Sequence, residues 1–216
     1  MKGLLLSSYY LTRRSIWGYL ILAIIVSIIV VLFANNNGER FSLMIILLLA
    51  SLPSLEMIKK ENASNYDKYL LTLPIKRLDI VMNHYIYYLL AITLGILVSF
   101  VYWITYTFFF NVQDIQFYFS SLGSILFIVI VAGAITFPSL YIMGHSKSDV
   151  IIIASGMIGL LLNIILQGFF SVILPKINIL NIHDDLLASF MYLLLSLLIY
   201  LISFYISRVI YEKKDF

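Results

Sequence analysis

Six stretches of this chain are continuously apolar, and that pattern leaves few folds open. They run over about 16–34, 41–57, 81–109, 119–143, 150–174 and 186–207. A helix needs roughly 20 apolar residues to cross the hydrocarbon core of a bilayer. The second stretch is short, while the third and fifth are long enough to tilt or to extend past the membrane. None alternates apolar with polar residues as the strands of a membrane barrel do, so the spans are predicted to be helices. Composition agrees. Hydrophobic residues make up 62% of the chain and charged ones 12%, with a mean hydropathy of +1.01; a soluble domain carries about 25% charge. The expected fold class is all-α integral membrane, one transmembrane domain over residues 1–216 with six transmembrane helices. The first apolar stretch exceeds the 7–15 residues of a signal-peptide core. The Phe33-Ala34-Asn35-Asn36-Asn37 that follows offers no small-x-small cleavage site, so this stretch reads as a retained span.

Six spans put both chain ends on one side. Of the fourteen Lys and Arg, all but Arg40 and Lys176 fall there. Lys2, Arg13 and Arg14 precede the first span. Lys59, Lys60, Lys68, Lys76 and Arg77 lie between the second and third, Lys147 between the fourth and fifth, and Arg208, Lys213 and Lys214 near the end. The positive-inside rule therefore places both termini in the cytoplasm. Trp17, Tyr85, Tyr87, Tyr88, Trp103 and Tyr106 lie near span ends and are expected to form aromatic belts at the membrane surfaces. Residues 1–14 fit either an in-plane interfacial helix or a basic flank of the first span.

The absence of cysteine excludes disulfides, thiolate metal sites and a Cys nucleophile. Nucleic-acid binding needs a basic patch on a folded soluble face, which this chain lacks.

The charged insert between the second and third spans, about 58–80, is the likeliest surface for a soluble partner. With its flanks, residues 56–81 hold Lys59, Lys60, Lys68, Lys76 and Arg77 together with the acids Glu56, Glu61, Asp67 and Asp79. Asn65 can cap a helix starting at Tyr66, with Asp67 favourable in its first turn. Tyr66, Tyr69, Leu70 and Leu73 then form one apolar stripe at i, i+3, i+4, i+7 spacing. Pro74 lacks an N–H and ends that helix, and is well placed to open the next one. A helix this short is marginal alone. Its stripe rests either on headgroups and the bundle ends or in a groove of a soluble protein.

Polar residues inside the spans are few. Ser155, Gly159, Asn163 and Gln167 are spaced four apart on one ridge of the fifth span, next to Gly156. Small residues let helices approach and amides bond across them. The ridge reads as a helix interface or as a strip lining a translocation path. Ser189, Ser196 and Ser203, seven apart, read as a packing seam of the sixth span. Pro53 and Pro138 are expected to kink spans two and four. No ionisable residue sits at the centre of a span, which argues against an ion-coupled pump. The histidines His84, His145 and His183 belong to separate loops or span ends. His145 with Asp149 reads as a surface pair, and His183-Asp184-Asp185 as a solvated loop in preference to a metal site.

Lys60-Glu61-Asn62, then Tyr69-Leu70-Leu71-Thr72-Leu73-Pro74-Ile75-Lys76-Arg77, then Ile80-Val81 and Tyr85-Ile86 resemble the cytoplasmic loop of bacterial type-2 ABC (ATP-binding cassette) exporter permeases. The six-span layout is similar to that family over the whole chain. Many relatives carry a lysine before the final tyrosine, where this chain has Asn83-His84. The resemblance implies a short coupling helix, with Tyr66, Tyr69, Leu70, Leu73, Pro74, Lys76 and Arg77 at a separate cytoplasmic ABC ATPase. It also implies a second permease chain, identical or a sister, and a hydrophobic or amphipathic substrate. Compact Gram-positive relatives often handle amphipathic peptides. No GxxxxGK[ST] phosphate loop occurs in the sequence, so ATP and magnesium would be bound by the partner. The connection over 168–185, which contains Pro175, often holds re-entrant helices in such relatives.

Two rival readings remain at this stage. An intramembrane enzyme needs a Ser–His pair, an Asp pair or a metal cluster within the spans, and none stands at suitable depth. A non-transporting scaffold or sensor that recruits a cytoplasmic regulator shares every compositional feature.

Overall fold

The computed structural model describes residues 2–33, 38–64, 66, 76–110, 115–144, 147–173 and 184–213. These are almost wholly helical and contain no strand. Among the described residues the helices are, in chain order, α1 (Lys2–Phe33), α2 (Gly38–Leu55), α3 (Met57–Ala63), α4 (Arg77–Phe110), α5 (Ile115–Met143), α6 (Ser148–Ile173) and α7 (Asp184–Lys213). Six segments are long and apolar enough to cross a membrane, one in each of α1, α4, α5, α6 and α7 and one that runs from the start of α2 into α3, Gly38–Glu61. The all-α, six-span membrane fold expected from the apolar pattern is present.

Spanning helices that follow one another along the chain run antiparallel. The starts of α1, α4 and α6 gather with the ends of α2, α5 and α7, as the pairs Lys60–Ser15, Lys59–Asp149, His84–Tyr141 and Arg77–Glu212 demonstrate. This is the basic end of the bundle, and α3 lies there. At the far end, Tyr106 bonds Glu39 and Arg40 bonds Ser124.

α5 is the centre of the bundle. Its apolar window is 78% buried, against 11% for α1 and 22% for α6. A helix apolar on every side is what a fully surrounded position requires. Its glycines admit the neighbours. A Cβ on Gly133 would stand 2.2 Å from Cε1 of Tyr88, whose ring takes that space and whose hydroxyl donates to Val129 O at 2.6 Å. A Cβ on Gly123 would stand 2.6 Å from the Cα of Ser189, so α7 meets α5 almost backbone to backbone. The predicted seam faces α5 there. Ser189, Ser196 and Ser203 are all buried, and Ser189 Oγ donates to Ser120 O while Ser203 Oγ donates to Ala134 O.

One reading left open by the sequence is decided, and one expectation needs revision. α1 is one continuous helix of 32 residues, about 48 Å long at 1.5 Å per residue. Its first turns therefore extend the span and form no separate in-plane helix. They pack on α4 through Asn83 Nδ2, which donates to Ser8 Oγ at 2.8 Å, and through the Thr12–Tyr87 hydrogen bond. The aromatic belt fails for Tyr85, Tyr87 and Tyr88, all of which are buried. Their hydroxyls find partners inside the bundle, Tyr85 with Ser203 and Ser207 at 2.7 Å each. A tyrosine with an internal partner does not need the membrane surface. Trp17, by contrast, is exposed as a belt residue should be.

Candidate functional site

The charged insert leaves the bundle through α3, and α3 is built into the core. Glu56 alone separates it from α2, and the helical ladder runs on across that residue: Glu56 N donates to Leu52 O and Lys60 N to Glu56 O. Met57 and Ile58 are buried and anchor the inner face. The first part of the insert is thus structural, which the compositional reading did not foresee.

Successive residues of a helix point about 100° apart. Lys59, Lys60 and Glu61 use that rotation to reach different helices. Lys59 Nζ meets both carboxylate oxygens of Asp149, at 2.6 and 2.7 Å, in the first turn of α6. Lys60 Nζ donates to Ser15 Oγ of α1 and lies 3.7 Å from Glu56 Oε2. Tyr19 of α1 donates to the other oxygen of Glu56 at 2.5 Å. Glu61 Oε2 lies 2.9 Å from His84 Nε2 of α4. His84 Nδ1 lies 2.6 Å from the Tyr141 hydroxyl of α5. The expected pair of Asp149 with His145 cannot be followed, because His145 lies outside the described residues.

The Glu61–His84–Tyr141 chain is sealed. Glu61 and His84 are 3% exposed and Tyr141 4%. An ionised Glu61 only accepts, so His84 Nε2 carries the proton between them. Nδ1 then accepts from Tyr141 when the ring is neutral, or donates to it when the ring is charged. Carboxylate, imidazole and hydroxyl in series also form the order of a nucleophile activated by a base. Here burial leaves no room for a substrate at the hydroxyl, and the chain serves as a joint. Sequence reasoning missed this joint because it links residues on three helices. Its one signal was Asn83-His84, flagged as a departure from the resembled family. Both residues of that departure hold contacts within the chain, Asn83 to α1 and His84 to α3 and α5.

The other predicted coupling residues divide. Arg77 Nη1 donates to Glu212 O at 2.9 Å and lies 3.5 Å from Tyr211 O, so it caps the last turn of α7. Lys76 is exposed. Tyr66 is half-buried and packs against the main core. Tyr69, Leu70, Leu73 and Pro74, with the capping Asn65, lie outside the described residues.

The predicted ridge on α6 runs along α5. Ser155 Oγ lies 2.7 Å from Thr136 Oγ1. A Cβ on Gly159 would stand 2.9 Å from Ile128 O, and Asn163 Nδ2 donates to Ser124 O at 3.1 Å. Gly156 has no such neighbour within 4 Å. Gln167 continues the ridge into a cavity of about 420 Å³ at the far end, lined also by Arg40, Ser120, Ser124, Ser171, Asp185 and Ser189. Four of those serines donate their proton to backbone carbonyls, those of Phe117, Ser121, Gly168 and Ser120. What they offer the cavity is lone pairs. The cavity therefore has many acceptors and one guanidinium among its described lining. Among the described residues no group of three or more acids or histidines is arranged to hold a metal. His183 lies outside them.

The chain is thus a membrane bundle in which five apolar spanning segments surround a buried α5 and a charged insert is rooted at one end. None of the curated proteins and none of the solved structures matches the chain. The sequence profile described as ABC-2 family transporter protein does, over residues 3–212, nearly the whole chain. Permeases of that family work with an ABC ATPase. The chain thus belongs to the ABC-2 transporter family, as a multi-pass permease of the cell membrane.

Proposed function

We propose that this chain is the transmembrane subunit of an ATP-driven exporter whose ATPase is a separate protein docking on the insert. The observation that carries this reading is the anchoring of the insert. α3, from which it departs, is bonded to α1, α4 and α6, and through His84 to α5, so a push on the insert reaches most of the bundle. The positive-inside rule sets the basic end in the cytoplasm, where an ATPase resides. Tyr66, Tyr69, Leu70 and Leu73 supply the apolar contact, and Pro74, Lys76 and Arg77 complete the docking surface. ATP and magnesium belong to the partner.

A second permease chain, the same or a sister, completes a twelve-span path. The outer face of α6 supports this: Ile153, Met157, Leu161 and Ile164 are all exposed on the single chain. The substrate is hydrophobic or amphipathic, in keeping with apolar helix faces and a far-end cavity that mixes hydroxyls with phenylalanines. An amphipathic peptide fits this description.

Purification of the tagged chain from its host membranes tests the docking. An ABC ATPase is expected to co-purify with the wild type, and Tyr69→Ala combined with Leu70→Asp is expected to release it. Retained ATPase and normal transport in that double variant would remove the docking helix from the proposal. A partner without ATPase activity would favour the scaffold.

A further inference from the structure

We infer that α3 distributes movement of the insert among the helices, and that Glu61 and His84 are the positioning residues of its rigid link. This deepens the proposed coupling to an ATPase and rests on it.

Three observations lead there. First, Lys59, Lys60 and Glu61 each bond a different partner helix, α6, α1 and α4. Isolated helices of this length do not hold their shape, so α3 is fixed by what it touches. Its displacement is then shared by the helices that fix it.

Second, Glu61 lies near the start of the insert and His84 just beyond its end, in α4. They stand 23 residues apart in sequence and 2.9 Å apart in space. The insert is therefore a loop closed at its base by one buried pair. A force on the loop arrives at that closure, and Tyr141 passes it to α5, the central helix.

Third, the links differ in stiffness. The Glu61–His84–Tyr141 chain is buried, and no water can replace a partner that moves away. The Lys59–Asp149 pair is exposed, at 45% and 68%, where water competes and such pairs hold weakly. Movement of α3 thus drives α4 and α5 directly and α6 compliantly.

The chain contains no cysteine, so label positions can be introduced without background. Phe108→Cys near the end of α4 and Val172→Cys near the end of α6 are exposed far-end sites for nitroxides. In vesicles, the permease with its co-purified ATPase is measured by electron spin resonance, with and without ATP and vanadate. The wild type is expected to change its label distance on nucleotide trapping. Glu61→Ala is expected to retain the ATPase and hydrolyse ATP while the distance change falls below half. Glu61→Gln keeps an acceptor for His84 Nε2 and is expected to respond as the wild type does. The exchanged pair, Glu61→His with His84→Glu, is expected to recover the response, which a loss of packing alone would not permit.

A Glu61→Ala complex that hydrolyses ATP and moves as fully as the wild type overturns the inference. Should that variant fail to assemble, Lys59→Ala carries the test, since its loss leaves no buried group unpaired. A smaller distance change at unchanged hydrolysis is then expected, and an unchanged one refutes the distribution of movement. A wild-type chain that binds no ATPase is a different failure: it removes the proposed function, and this inference with it.

Discussion

The two ends of the bundle are held together by different chemistry. At the basic end, Lys59, Lys60, Glu61, Arg77 and Asp149 reach another helix, and the innermost pair is sealed from solvent. At the far end the cross-helix bonds include Arg40 to Ser124, Tyr106 to Glu39, Asn163 to Ser124 O and Ser189 to Ser120, and a cavity of about 420 Å³ lies there. Charged joints are directional and costly to break when buried, whereas hydroxyl bonds and small-residue contacts tolerate sliding. The difference teaches where such a bundle can move. On the coupling proposed above, the basic end is the handle and the far end is the part with room to open.

The largest expected effect breaks the handle. Glu61→Ala leaves His84 in a dry site with Tyr141 and no carboxylate. Removing one partner of a buried pair costs about 3–5 kcal/mol. Thermal unfolding in detergent is expected to fall sharply for this variant and by about 1 kcal/mol for Glu61→Gln, which keeps the hydrogen bond. Equal, small losses for both would mean that the basic end is no stiffer than the far end.

The next effect tests the packing beneath both ends. Gly123→Ala sets a methyl against the backbone of Ser189, which no side-chain rotation relieves. Overpacking of this kind costs about 1–3 kcal/mol. Gly159→Ala presses on Ile128 O at 2.9 Å and should cost less, while Gly156→Ala, three residues away on the same helix, meets nothing and should be neutral. Melting temperatures ordered Gly123→Ala, Gly159→Ala, Gly156→Ala from lowest to highest are the expected result. A destabilised Gly156→Ala would mean that α6 has an inner face other than the one described.

Which of these features can be read from sequence depends on the range of the interaction. The six spans and the Ser189–Ser196–Ser203 seam follow from periodicity along one helix, and the structure places the seam against α5. The ridge from Ser155 to Asn163 likewise turns out to face α5, although periodicity alone left its partner open. Tyr85, Tyr87 and Tyr88 were misassigned to a belt because their partners, Ser203, Thr12 and the Val129 carbonyl, are 41 to 118 residues away. The Glu61–His84 joint was hidden for the same reason. Charge in an insert normally signals solvation, and only the fold brings an imidazole to that carboxylate.

The smallest effect is expected at the far end itself. Arg40 is exposed and its guanidinium bonds Ser124 Oγ at 3.0 Å. Arg40→Ala forfeits one bond with one charged partner near solvent, and the net worth of such a bond is about 1 kcal/mol or less after water replaces it. Stability should therefore hardly change. The cavity, however, loses the one cation of its described lining and is left with serine lone pairs, Gln167 and Asp185. In transport assays with amphipathic probes of opposite charge, Arg40→Ala is expected to lower the response to an anionic probe relative to a cationic one. A loss of more than about 2 kcal/mol in Arg40→Ala would instead make Arg40 a clasp, beyond the range of exposed bonds. The far end would then be fastened like the basic end, and the handle would have to be sought elsewhere.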